Sequence, residues 1–184
     1  QIKIRMEKAC LCGSDSPLFA YNLNQVVDEF SRAPDKGMSL PFIGYDGDPY
    51  PLQPGLSVHE CVGTVVASRS ERFKEGDFVL ALPDRHDGLV EYMVSSEDRA
   101  IPLPDKAVSK EEILMTQPLG TVVWACQKLG NLIDADVVVV GQGPMGLMIT
   151  QMLANLGARC VIGMDKLDYR LEAAKKMRAT HTVN

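Results

Sequence analysis

Apolar and polar residues alternate along this chain with a rhythm that changes once, and the change divides it. From Gln1 to about Pro104 the periods are short. "QIKIRM" alternates apolar and polar, "ECVGTVVAS" is a β-branched run, and "GDFVLAL" and "GLVEYMVS" follow at turn-separated intervals. Such runs predict strands, with Gly63, Gly76 and Gly88 at their boundaries. Together they predict a β-rich domain closed into a partly open barrel. A stretch rich in Pro, Gly and Asp between Asp35 and Gly55 predicts a long surface loop, with Tyr45, Asp46 and Asp48 solvated on it. "NQVVDEFSRA" before it predicts a short amphipathic helix through Val26, Val27 and Phe30.

After "IPLPDK" the apolar spacing becomes helical. "SKEEILMTQPLGTVVWACQKLG" predicts a helix with Ser109 as N-cap and Glu112 completing a capping box, and with Trp124 packed on it. "ADVVVVGQGPMGLMITQMLANLGARCVIGMD" then reads as strand, glycine turn, helix, glycine break and strand. That is a βαβ unit whose first strand is expected to be buried. The fold class is therefore β followed by α/β, divided into 1–108 and 109–184. Met145, Met148 and Met152 read as core, as do Cys10, Cys61, Cys126 and Cys160; His86 and His181 read as turn and strand-edge residues.

Composition narrows the function classes. Hydrophobic residues make up 46% and charged residues 23%, a globular balance, and the net charge of -5 argues against a nucleic-acid partner. No apolar run approaches the roughly 18 residues of a membrane span. Five scattered cysteines suit a reduced, cytoplasmic protein, and a Cys10–Cys12 disulfide is not expected. The chain opens without Met and stops at "ATHTVN", where a new strand begins, so both ends read as cut.

The glycine turn carries the clearest chemistry. Gly141, Gly143 and Gly146 in "VVVVGQGPMG" have the G-x-G-x-x-G spacing, follow a strand and open a helix. The first glycine permits the tight turn, the second lets the backbone approach a pyrophosphate, and the third lets helix and strand pack closely. The helix N-terminus offers free N–H groups to the phosphates, and Pro144 and Met145, which lie inside the motif, join Gly141, Gly143 and Gly146 as candidate cofactor residues. Asp165 follows Gly146 by 19 residues, at the end of the next strand, where a carboxylate accepts from ribose hydroxyls and repels a 2'-phosphate. NAD is expected over NADP, a preference that Lys166 and Arg170 soften.

A second constellation is chemically suggestive. Cys12, in "CGSD", with His59 and Glu60, in "HEC", supplies thiolate, imidazole and carboxylate, the zinc ligand types. Alone, "HEC" reads better as a polar turn; with Cys12 the metal reading gains.

In order, "CGSD", "HECVGTVV", "FKEGDFV", "EY", "PLG" and "VVVVGQGPMGL" resemble the motifs of the medium-chain, zinc-dependent alcohol and polyol dehydrogenases, most closely the sorbitol and threonine dehydrogenase branch. The resemblance covers nearly the whole chain. It implies a GroES-like catalytic domain followed by part of a Rossmann NAD-binding domain. It further implies Cys12 and His59 as zinc ligands, Glu60 as ligand or close substitute, Ser14 as the hydroxyl that passes the substrate proton outward, and Asp15 as the carboxylate orienting the histidine. Thr121 matches a residue beside the nicotinamide. The implied reaction moves a hydride between a secondary alcohol (a polyol, sugar derivative or hydroxy amino acid) and NAD, in a homodimer or homotetramer. A zinc-free quinone-reductase-like enzyme and a catalytically silent NAD-binding module are the rival readings.

This chain departs from the family pattern at three places. Gln117 stands where relatives carry a carboxylate or thiolate near the metal, which predicts weaker metal retention. Pro17 stands where many relatives continue the proton relay with histidine. The lobe of four cysteines that binds a structural zinc is absent, leaving one catalytic zinc per chain.

Overall fold

The structure is a computed structural model, and it describes residues 1–16, 55, 57–84, 87–104 and 109–184. The predicted helix over 24–33, most of the 35–55 loop with its Tyr45, Asp46 and Asp48, Pro17 and His86 lie outside the described residues. The chain divides into two compact units, Gln1–Leu114 and Met115–Asn184.

The first unit holds a five-stranded antiparallel sheet. Its strands are β1 (Ile2–Cys10), β2 (Glu60–Ser68), β3 (Phe78–Ala81), β4 (Tyr92–Ser95) and β5 (Ala100–Pro102), ordered β4-β1-β2-β3-β5. The sequence alternation is visible in β1, where Ile2 and Ile4 are buried and Lys3 and Arg5 exposed. One face of the sheet packs Ile2, Ile4, Cys61, Val65, Val79, Ala81 and Met93. On the other, Val62 and Leu80 pack against Ile113 and Leu114 of a short helix, α1 (Lys110–Leu114). The pairing of β1 with β2 shifts register between Met6 and Lys8, and the displaced Glu7 faces α1. Its carboxylate pairs with the Lys110 ammonium and accepts from Thr64 Oγ1, and these partners hold its pKa below the usual range, Lys110 foremost.

Gly63 is not a strand boundary. It lies inside β2 opposite Met6, where a Cβ would sit 2.3 Å from the Arg5 carbonyl oxygen. Glycine is there because the two backbones approach too closely for a side chain. Gly76, by contrast, sits in a turn with φ +92°.

The predicted long helix is two helices. The capping box forms as the sequence requires: Glu112 N donates to Ser109 Oγ at 3.1 Å, and Ser109 N donates to Glu112 Oε2 at 3.1 Å. The helix then stops at Leu114, and α2 (Thr116–Cys126) begins after Met115. Pro118 explains the break, since it has no N–H for the Leu114 carbonyl and its ring crowds that same group.

In the second unit, β6 (Asp136–Val140), β7 (Cys160–Met164) and β8 (His181–Val183) form a parallel sheet ordered β6-β7-β8. Helices α3 (Pro144–Asn155) and α4 (Asp168–Lys176) connect them. The core joins Val122 and Cys126 of α2 to Val139, Leu153 and Val161. Three expectations are corrected here. Strand β6 is not buried: it is an edge of the described sheet, with Val138 56% and Val140 82% exposed. Trp124 is 62% exposed, because Val122 and Cys126 define the inward stripe of α2 and residue 124 points the other way; Lys128 Nζ lies 4.2 Å from its ring centre. Of the three methionines, Met148 and Met152 pack on the core, but Met145 is 40% exposed at the start of α3. Among the described residues no helix is long and apolar enough to cross a membrane.

Candidate metal centre and dinucleotide turn

Strand register brings the first cluster together. Cys10, the last residue of β1, pairs with Glu60, the first of β2, so the segments beyond these two ends emerge side by side. From β1 the chain enters a turn in which Asp15 N donates to the Cys12 carbonyl at 3.0 Å. Into β2 it arrives through Val58 and His59. As a result, Cys12 Sγ, a ring nitrogen of His59 and a carboxylate oxygen of Glu60 all lie within 4.8 Å of one another. Cys12 and His59 are partly buried and Glu60 is 4% exposed.

Asp15, 2% exposed, organises two of these three residues. Its Oδ2 accepts from the Cys12 amide at 2.7 Å, and its Oδ1 lies 3.4 Å from His59 Nδ1. A carboxylate facing Nδ1 is the arrangement that orients a histidine whose other ring nitrogen serves as a metal ligand. Ser14 is exposed on the same turn. Soft sulfur, imidazole and carboxylate at this spacing fit zinc, three protein ligands leaving a further position open. Cys10 borders the cluster through its pairing with Glu60; burial first and the Glu60 charge second raise its thiol pKa. Cys61, on the opposite face, is pushed up to about 12, chiefly by burial.

The second site is the turn between β6 and α3. Gly141 takes φ +87°, a conformation that only glycine adopts at little cost. Gly143 caps α3, Pro144 occupies its first turn, and the first helical bond is Leu147 N to Gly143 O at 2.9 Å. The amides of Met145 and Gly146 therefore lie ahead of the helical ladder. A Cβ on Gly146 would sit 1.8 Å from the Gly141 carbonyl oxygen, so the third glycine is where helix meets strand.

Asp165 follows β7 beside this turn. Its Oδ2 accepts from Gln142 N at 2.7 Å and lies 3.4 Å from Arg170 Nη1, and its Oδ1 accepts from Leu167 N at 3.0 Å. The Gln142 amide, then that of Leu167 and the Arg170 guanidinium, hold its pKa below the usual range against partial burial. It is a fixed anion at neutral pH. Thr121 is exposed on α2, one helical turn after Gln117.

Gln142 and Thr150 are site residues that sequence reading passes over. Gln142 is fully buried; its Nε2 donates to Val139 O at 3.0 Å and its Oε1 accepts from Thr150 Oγ1 at 3.0 Å. Gly163 of β7 leaves room for it, since a Cβ there would stand 3.2 Å from Gln142 Cδ. The polar residue between two glycines and the threonine in an apolar helix are the only signals, and they lie eight positions apart. Thr150→Val is expected to strand the buried amide oxygen and cost about 1–3 kcal/mol, read from the midpoint of urea unfolding. An unchanged midpoint would mean that Gln142 finds another donor.

Known proteins resemble this chain in sequence and in fold. Over 198 aligned residues, which take in all of this chain, it is 31% identical to sorbitol dehydrogenase 2 of Saccharomyces cerevisiae, covering 53% of that protein. Over 101 residues it is 39% identical to L-threonine 3-dehydrogenase of Chromobacterium violaceum, covering 55% of this chain and 29% of the relative. This chain is a relative of the medium-chain alcohol and polyol dehydrogenases. It spans about half the length of the relatives that match it throughout. No family model matches it. The solved L-idonate 5-dehydrogenase of Escherichia coli shares the fold, with a TM-score of 0.75 at 20% identity, covering 100% of this chain and 55% of that one.

Proposed function

We propose that this chain forms the zinc site and the first part of the NAD site of a dehydrogenase acting on a secondary alcohol: a polyol, sugar derivative or hydroxy amino acid. The observation that carries the reading is the convergence of Cys12, His59 and Glu60 within 4.8 Å, with Asp15 behind them. In this reading residues 1–108 are a GroES-like, partly open barrel and 109–184 begin a Rossmann domain. Bound there, zinc supplies Lewis-acid polarisation of an alcohol oxygen, and NAD supplies the hydride acceptor.

The chain's own residues do the rest. Cys12 as thiolate and Glu60 as carboxylate supply two negative charges, which balance a divalent ion without help from the neutral Gln117. Asp15 fixes the His59 tautomer, and Ser14, exposed on its turn, passes the alcohol proton toward solvent. At the other site the Met145 and Gly146 amides and the positive end of α3 hold the pyrophosphate. Asp165 holds the adenosine ribose and selects NAD over NADP, with Arg170 beside it as a counterweight. Thr121 borders the nicotinamide. One zinc per chain, no structural zinc, a cytoplasmic setting, no nucleic-acid or membrane partner and a homodimer or homotetramer complete the proposal.

Elemental analysis of purified protein tests it, with chelator-stripped protein as control. The expected content is about one zinc per chain, as three ligands plus an open position require. Protein that binds NAD and holds no zinc overturns the zinc-dehydrogenase reading.

A further inference from the structure

A group of polar side chains lies at the opposite end of the parallel sheet from the glycine turn. Cys160 opens β7, and His181 opens β8, its neighbour in the sheet. Cys160 is not packed among apolar residues as its sequence neighbours suggest. Its Sγ lies 3.5 Å from His181 Nδ1, and Thr180 Oγ1 lies 3.4 Å from the same sulfur and 3.0 Å from the same ring nitrogen. Thiol, imidazole and hydroxyl therefore form a closed triangle. Thr180 is itself anchored, because its Oγ1 accepts from Val161 N at 2.9 Å and its hydroxyl also reaches the Val161 carbonyl at 3.1 Å. Cys160 is partly exposed, and His181 and Thr180 are exposed.

The charges around the triangle are few. Asp136 pairs with Cys160 across β6 and β7, but its carboxylate is bound by Arg159 at 2.6 and 3.0 Å. Arg159, adjacent to Cys160, carries the positive charge nearest the sulfur along the chain. The remaining cysteines differ in setting: Cys61 and Cys126 are buried, Cys12 belongs to the metal-ligand cluster and Cys10 borders it.

We propose that Cys160 is a thiol–disulfide exchange site for low-molecular-weight disulfides, with His181 as its proton acceptor. The Cys160 thiol gives its proton to His181 Nδ1, and the thiolate accepts from the new imidazolium and from Thr180, once that hydroxyl turns from the Val161 carbonyl. It attacks one sulfur of the incoming disulfide, a new S–S bond forms and the old one breaks. The departing thiolate takes the proton from His181, so one protein thiol and one disulfide become one mixed disulfide and one free thiol. The thiolate is the attacking species in such exchange, and His181 Nδ1, 3.5 Å from a partly exposed sulfur, is placed to take its proton. From Cys160 to Met164 the strand rises by about 13 Å, so the modified sulfur stays clear of the glycine turn, whose Gly141 amide donates to Met164 O.

The test incubates the zinc-loaded 184-residue chain with glutathione disulfide and follows each cysteine-containing peptide by mass spectrometry. Cys160 is expected to form the mixed disulfide first. In His181→Asn its rate constant falls about tenfold while those of the other cysteines stay unchanged. Both residues of the pair are on the surface, so the variant tests chemistry more than folding. Two results would overturn the proposal: no adduct at Cys160, or a rate indifferent to His181.

Discussion

Gly146→Ala is expected to weaken NAD binding at least tenfold and to lower the stability of the chain by about 1–3 kcal/mol, the range for forced overpacking. The added methyl would meet the Gly141 carbonyl oxygen at 1.8 Å. Both colliding groups belong to the backbone, so no rotamer change can separate them. Gly141 cannot yield easily, because its φ of +87° sets the turn and its amide donates to Met164 O at 2.8 Å. The start of α3 must instead lift away from β6. That motion displaces the Met145 and Gly146 amides and pulls Gln142 from its bonds to Val139 and Thr150. Calorimetric titration with NAD, beside urea unfolding, measures both effects. Undiminished NAD affinity would show that the phosphates are held elsewhere.

Local pattern reveals elements, and it reveals a site only where the site is local. The quoted run "ECVGTVVAS" coincides with β2, because β-branched residues in a paired strand need no distant information. The glycine turn is equally readable, since its strand, turn and helix are contiguous. The break at Met115 is a miss of that local reading: continuous helical spacing of the apolar residues predicts one helix, and Pro118 ends the first one four positions upstream. The metal-ligand cluster is different. Cys12 and His59 are far apart in sequence, and only the register that sets Cys10 against Glu60 puts them at one end of a strand pair. Residue type suggested the chemistry, and the motif resemblance linked the two halves before any contact was known. The Gln142–Thr150 bond and the Cys160–His181 pair had neither cue. Each joins residues on separate elements, and each alone is an ordinary polar or small side chain.

Asp15→Ala is expected to weaken zinc binding roughly 10- to 100-fold, the usual effect of removing a carboxylate that orients a histidine ligand. One side chain performs two tasks here. Its Oδ2 fixes the Cys12 amide at 2.7 Å and thereby the turn that aims the sulfur. Its Oδ1 faces His59 Nδ1 at 3.4 Å and orients the ring. Alanine frees both ligands at once and removes a negative charge that favours a nearby cation. Asp15→Asn separates the two roles, since an amide oxygen can still accept from Cys12 N while the charge is lost. Its loss of affinity is expected to fall between those of wild type and alanine. Competition with a chelator of known zinc affinity measures all three proteins, and their far-ultraviolet circular dichroism checks that the sheet persists. Equal zinc affinity in wild type and both variants would remove Asp15 from the metal site and leave it as a turn-forming residue alone.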